Sequence, residues 1–337
     1  MRSQMLKSLL LLGAGLFAAS PMRADLVLNA AGIADGFTAS NFVTGLASTG
    51  STFGQGPFGM TVVSNGSGGF NVLVGNFANS TLSIYNDANG QLLTTVTGFQ
   101  PFAEGFATLN GVAYGGNGSK YGSFDPNTGA FSPLNITNLP APYLGMAADS
   151  ATNELIAFSQ NGLIAINPTT NSFRTINNAT GIDGVSVSPD GQTVYVEQNG
   201  NILGYNVNSG ALTFTAPTPA GAYLPDGTGV ITSNNSLNGD IIVNDNLGNV
   251  YLIDPTSNSI TLIGTNSNER GDFTAPDFTN GTLLMDFSDQ IERLSCGQGC
   301  VIGSTGGNSV PEASSFQLAG LALAGLVGFS RRLLRKS

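Results

Sequence analysis

A degenerate repeat of about forty residues, running between Asp25 and Val301, constrains the fold more than any other feature of this chain. The stretch GVSVSPDGQTVYVEQNGNILGYNVNSGALTFT (184–215) holds four short alternating segments, VSVS, TVYVEQ, NILGYNV and ALTFT, parted by the turn sequences SPDG, QNGN and VNSG. The scheme recurs at 145–176, at 229–263 and at 59–96, more loosely from Phe106 to Leu134, and in truncated form from Phe273 to Leu294. The tetrad before the last segment reads DANG (87–90), PNTG (126–129), PTTN (168–171), VNSG (207–210) and PTSN (255–258), at spacings of 39 to 48 residues.

Alternation with period two makes a half-buried antiparallel strand. Asn-Gly, Asp-Gly and Ser-Gly supply the positive φ that tight hairpins need. Four such strands form a small sheet that cannot bury both faces alone; packing the sheets radially buries them and leaves only short edges. A period of about 40 to 45 residues is that of a propeller blade. The expectation is therefore an all-β chain whose residues 25–300 form a six-bladed β-propeller, with residues 26–56 either closing the ring or contributing to a seventh blade. A β-sandwich or a β-helix is the rival architecture.

Only 9 % of the 337 residues are charged, against roughly a quarter in an average soluble domain. Val, Ile, Leu and Phe nevertheless recur at short intervals, which speaks against disorder. The net charge of −10 conceals a partition. Arg2, Lys7 and Arg23 lie at the N-terminus, and Arg331, Arg332, Arg335 and Lys336 at the C-terminus. Between them stand four cations, Lys120, Arg174, Arg270 and Arg293, against twenty carboxylates, a net of −16. A field of that sign repels phosphate backbones and excludes nucleic acid as a partner.

The two ends read as address segments. Arg2 and Lys7 precede an apolar run from Leu9 to Ala19 and a helix-breaking Pro21, the layout of a signal peptide over residues 1–24 cut after Ala24. Export by the Sec machinery follows. Ala313 to Ser330 is an uncharged run of 18 residues; at about 1.5 Å per residue a helix of that length just spans a bilayer core. The basic cluster after it stays on the cytoplasmic side, leaving the body in the periplasm. The tripartite end, with Val310, Pro311 and Glu312, then the apolar run, then Arg331, Arg332 and Arg335, resembles the PEP-CTERM sorting domain, here residues 310–337 after a linker at 301–309. Ala313 stands where that family usually has a second proline. The resemblance implies recognition and cleavage by an exosortase, an integral-membrane cysteine-type transpeptidase or protease, release to the cell surface, and association with exopolysaccharide or a biofilm matrix. A plain tail anchor is the alternative for this segment. The body, through SPDGQTVYV (188–196), is similar to YVTN and lactonase-like propellers.

The absence of histidine removes a Ser-His-Asp triad, a Cys-His pair and His-ligated metal centres. GGNGSKYG (115–122) lacks the strand-loop-helix setting of a phosphate loop and reads as a hairpin turn. Cys296 and Cys300, in SCGQGC, are placed to form a disulfide in an oxidising compartment. Carboxylates are the remaining catalytic material. Propellers of the gluconolactonase type hold a divalent cation in the central channel with Glu, Asn and Asp side chains. Candidates for such a role are Glu104, Asp183, Asp226, Asp245 and Asp272, each near an innermost strand or a connecting loop, whereas Asp87, Asp125, Asp190 and Asp254 read as turn formers. No other cofactor is implied. The sequence reads first as a non-enzymatic binding or scaffold module of the cell surface; the alternative is a calcium-dependent lactonase or hydrolase.

Overall fold

The structure, a computed structural model, describes residues 26–50, 53–100, 105–216, 225–267 and 269–303. The expected cleavage site at Ala24, the sorting residues Val310, Pro311, Glu312, Arg331, Arg332 and Arg335, the span 313–330 and the candidate Glu104 lie outside the described residues. Among the described residues no helix is long and apolar enough to cross a membrane.

Six four-stranded antiparallel blades stand around one axis, the fifth widened by added strands. From axis to rim, blade 1 runs Pro57–Ser64, Phe70–Asn76, Thr81–Asn86, Leu92–Thr97. Blade 2 runs Phe106–Leu109, Val112–Asn117, Lys120–Phe124, Phe131–Pro133, and blade 3 Pro142–Asp149, Glu154–Ser159, Gly162–Asn167, Ser172–Asn177. Blade 4 comprises Ile182–Val187, Thr193–Gln198, Asn201–Asn206 and Leu212–Ala216. Blade 5 comprises Pro225–Ser233, Ile241–Asp245, Asn249–Asp254 and Ser259–Asn266. Blade 6 has three late strands, Gly271–Asp277, Thr282–Phe287 and Gln290–Ser295, and takes its rim strand from the N-terminus, Thr38–Thr44. Each innermost strand packs on the next, and the sixth returns to the first. Residues 26–56 thus close the ring and do not start a seventh blade. Leu26–Leu28 adds a further strand to the rim of blade 5.

The turn chemistry explains the repeat. In all five tetrads the residue just before the tetrad is Asn or Asp, and its side chain accepts the N–H two residues on: Asn86 from Ala88, Asp125 from Asn127, Asn167 from Thr169, Asn206 from Asn208, Asp254 from Thr256. The fourth residue of each tetrad takes positive φ, at Gly90 (68°), Gly129 (69°), Asn171 (52°), Gly210 (70°) and Asn258 (59°). Glycine and asparagine are the residues that tolerate that region.

Alternation decides which seam each side chain fills. In blade 3, Ile156 and Phe158 face blade 4, while Leu155 and Ala157 face blade 2. Both faces of the middle strands are buried, and each of the six seams carries its own apolar cluster. The seam between blades 6 and 1 has an ionic lock as well. Arg293 donates to Asp277 Oδ2 and Asp87 Oδ1, both at 2.5 Å, and lies 4.5 Å from the centre of the Phe42 ring on the N-terminal strand. Asp87 also accepts from the Thr279 hydroxyl at 2.7 Å. It is therefore part of a buried ion-pair network and not a simple turn former, unlike Asp125, Asp190 and Asp254, which accept local turn N–H groups.

Cys296 and Cys300 form the expected disulfide, with Cα atoms 5.6 Å apart. It leads into the strand Cys300–Ile302, which pairs with Ile231–Ser233 of blade 5, so the folded body continues through two residues assigned above to the linker. Gly303 N donates to Val230 O at 2.5 Å.

Replacing Arg293 by Met strands two buried carboxylates, and loss of one partner of such a pair costs on the order of 3–5 kcal/mol. Urea denaturation of Arg293→Met is expected to show a lower midpoint at unchanged slope, the product of midpoint shift and slope matching that loss. Thiol titration of the protein folded under oxidising conditions, without reductant, is expected to find no free cysteine.

Candidate cation site

The site begins with a sequence motif at the axis. Asp183, Asp226 and Asp272 are each the second residue of the innermost strand in blades 4, 5 and 6. Each strand bulges against its neighbour just there, between Ile182 and Val185, Pro225 and Thr228, and Gly271 and Thr274. A bulge re-aims side chains near the end of a strand. In blade 4 the aspartate is followed by Gly184, whose absent Cβ would strike the carbonyl oxygen of Asp226 in blade 5. Gly227 of blade 5 lies against the Asp272 carbonyl of blade 6 in the same way, with 2.7 Å left for a Cβ. These glycines let successive blades approach backbone to backbone, and three aspartates meet at one mouth of the channel.

The second strands supply partners at matched register: Glu197 in blade 4, Asn244 in blade 5 and Asp286 in blade 6. Two of them hold the bulges. Asn244 Oδ1 accepts from Gly227 N at 2.8 Å, and Asp286 Oδ1 accepts from Asp272 N at 3.1 Å and Phe273 N at 2.6 Å. Glu197 is one methylene longer and behaves differently. It accepts from Gly200 N in its own hairpin, and one of its oxygens joins one each of Asp183 and Asp226 in a group whose members all lie within 4.8 Å of one another.

The electrostatics of this mouth are unbalanced. Asp183, Glu197, Asp226, Asp272 and Asp286 share a single nearby cation, Arg270, which bonds Asp272 at 2.6 Å and reaches Asp226 at 3.5 Å. Burial pushes Asp226 far above the carboxylate range, and Asp183 and Asp272 push it further. Burial raises Asp272 as well, against the opposing pull of Arg270. Glu197 is pushed up to about 7, chiefly by desolvation. Crowded carboxylates without enough positive charge must protonate or recruit a cation. The donors are all oxygens, which suits a hard divalent ion such as Ca²⁺.

Among the described residues an aromatic side chain stands beside the carboxylates. Phe58 occupies in blade 1 the position that the aspartates hold, with its ring centroid 5.1 Å from Phe77 and 6.4 Å from Phe273. Below the mouth, Met60, Phe106, Met146, Val185 and Phe273 narrow the channel to a void of about 10 Å³, room for no more than about one water. Beyond this neck a separate pocket of about 60 Å³ opens on the opposite side, walled by Thr61, Thr108, Ser186, Phe278 and Gly303.

Of the sequence candidates, the structure brings Asp183 and Asp226 together and sets Asp272 beside them. Asp245 is turned away into its own hairpin, accepting from Leu247 N at 2.9 Å, Asn249 N at 2.8 Å and Asn249 Nδ2 at 3.0 Å. Glu197 was not among the candidates. Aligning TVYVEQ (193–198) with IIVND (241–245) and TLLMDF (282–287) by register would have found it, because Glu197, Asn244 and Asp286 fall in one column.

No family model matches the chain, and no curated protein matches it. Solved structures do. The propeller aligns with a gluconolactonase from Xanthomonas campestris at a TM-score of 0.60 and 15 % identity, over 80 % of this chain and 94 % of that one. It aligns with a Bacteroides thetaiotaomicron protein at 0.56 and 12 %, over 77 % and 76 %. The likeness is one of fold. The chain also overlaps the extracellular domain of a one-component system from the same Bacteroides at 0.48, spanning only 31 % of that longer chain.

Glu197 holds its proton more tightly folded, near pH 7, than in its ordinary range near 4.5. Its contribution to stability is complete below pH 4.5 and is lost as the pH rises through 7. Asp240, lifted to about 6 chiefly by burial, acts in the same direction. Chelator-treated protein is expected to melt at lower temperature at pH 8 than at pH 5, and Glu197→Gln to flatten that slope.

Proposed function

We propose that this chain is an exported propeller that holds one divalent cation, Ca²⁺ by the chemistry of its donors, at the acidic mouth of its channel, and acts there as a hydrolase of lactonase type. The observation that carries this reading is the meeting of Asp183, Glu197 and Asp226, from three strands of two adjacent blades, in a buried, oxygen-only cluster. Of the two readings drawn from the sequence, a scaffold requires no such convergence. A cation-dependent enzyme does. The shared fold with a gluconolactonase agrees with this choice.

When bound, the ion would supply Lewis-acid polarisation of a substrate carbonyl. Asp183, Glu197 and Asp226 would hold it. Arg270 fixes Asp272 beside them, and Phe58 and Phe273 offer an apolar wall to the rest of the ligand. Export, exosortase-directed sorting and residence at the cell surface or in an exopolysaccharide matrix belong to the proposal on the strength of the two terminal sequences alone.

Titration calorimetry with CaCl₂ is expected to show one site per chain, weakened at least about tenfold, or 1.4 kcal/mol, in Asp226→Asn and in Glu197→Gln. Hydrolysis of aliphatic lactones, followed by pH-stat, is expected to stop on chelation. Absence of saturable binding at millimolar calcium would sink the cation site; binding without turnover would return the chain to the binding class.

A further inference from the structure

A second cavity, of about 210 Å³, lies at the seam of blades 6 and 1, away from the axis. One wall is the chain just beyond the N-terminal rim strand, Gly45, Leu46 and Ala47, held by the bond from Leu46 N to Asp289 O at 2.7 Å. The opposite wall is the face of blade 1 that looks back toward blade 6, where Asn76, Thr81, Ser83, Tyr85 and Thr95 come together. Asn76 Nδ2 donates to Ala47 O at 3.0 Å and ties the two walls.

At the register of Ser83 blade 1 carries a small side chain where three other blades carry a large one; blade 2 has Gly122, whose space the Phe131 ring takes. The residues that stand at the register of Ser83 in blades 3, 4 and 5 are Ile164, Leu203 and Tyr251. Ile164 and Tyr251 belong to the apolar clusters of their seams, and Leu203 packs against that of blades 3 and 4. Blade 6 has Glu292 there, and that carboxylate is fully engaged with Leu26 N at 3.0 Å, Asn266 Nδ2 at 3.2 Å and Gln290 Nε2 at 3.0 Å. A serine leaves the equivalent space open. The small side chain shares a hydrogen bond of 3.3 Å with Thr95.

The lining specifies what can fill that space. Asn76 is 4 % exposed, and its side-chain carbonyl oxygen is buried without a partner. Its amide nitrogen is taken by Ala47 O and its oxygen is enclosed, so Asn76 braces the wall and the hydroxyls meet the ligand. Thr81, Ser83 and Thr95 carry hydroxyls that both donate and accept. Among the described residues no charged side chain lines the cavity. Val74, Leu46 and Leu92 add apolar surface, the last 52 % exposed at the rim. Neutral hydroxyl and amide groups beside aliphatic carbon suit a ligand that alternates O–H and C–H groups. The volume is about twenty times that of the void at the channel neck, enough for one pyranose ring.

We propose that this seam is a binding site for a neutral saccharide, one sugar unit entering between blades 6 and 1. It is separate from the axial carboxylates and does not rest on their role.

The test is saturation-transfer NMR on the full exported chain with glucose, galactose, mannose and N-acetylglucosamine as probes and glucuronate as the anionic control. At least one neutral sugar is expected to bind, on the order of millimolar, and glucuronate at least tenfold more weakly. Ser83→Ile installs the side chain that blade 3 carries and is expected to abolish the signal, while calcium binding at the axis and the melting temperature stay within error. Thr95→Val at the exposed rim, which keeps the shape and removes a hydroxyl, is expected to weaken binding about tenfold. Absence of binding by every neutral sugar, glucuronate binding equal to theirs, or an undiminished signal in both variants would overturn the proposal.

Discussion

Ring closure is the constraint on which the rest of this molecule depends. No single blade buries both of its faces, so the sixth must find the first. The strand Thr38–Thr44 arrives from the N-terminal end to complete blade 6, and Arg293 draws in Asp277 and Asp87 across the same seam. The ring is thus sealed by pairing between residues some 250 positions apart. Contacts of such long range are slow to form, and they are what sets the six innermost strands in one circle. Without that circle the aspartates of blades 4, 5 and 6 would share a motif but not a mouth.

Within the ring, small departures from the repeat create chemistry. Three blades carry aspartate where blade 1 carries Phe58, which sets an aromatic ring beside the carboxylates. Asn244 and Asp286 fasten the bulges of their own blades, and the extra methylene of Glu197 frees it from that task. Ser83 opens a seam where three other blades fill it with Ile164, Leu203 and Tyr251. In each case the fold supplies the position and one substitution changes what that position does.

The blades were legible in the sequence because each hairpin is a local event. Alternating segments and Asx-led tetrads sit within forty-odd residues of each other, and the positive φ of Gly90 or Asn171 is written in the residue type. Closure was legible only as one of two roles for residues 26–56. Thr38–Thr44 has no tetrad beside it, and its partner Gln290–Ser295 lies at the far end of the body. The site was half legible. Asp183, Asp226 and Asp272 stand out next to short strands, but only the register between first and second strands puts Glu197 with them and shows Asp245 turned into its hairpin. Asp87 reads as a turn residue because the arginine that claims it, Arg293, comes from another blade.

The neck formed by Met60, Phe106, Met146, Val185 and Phe273 lies between two wells along the axis. On the far side, the chain that leaves the disulfide runs along blade 5 and sets Gly303 into the wall of the second well. The last strand of the body thus walls one end of the channel while carboxylates line the other, and the two ends of one axis present different chemistry to whatever approaches them.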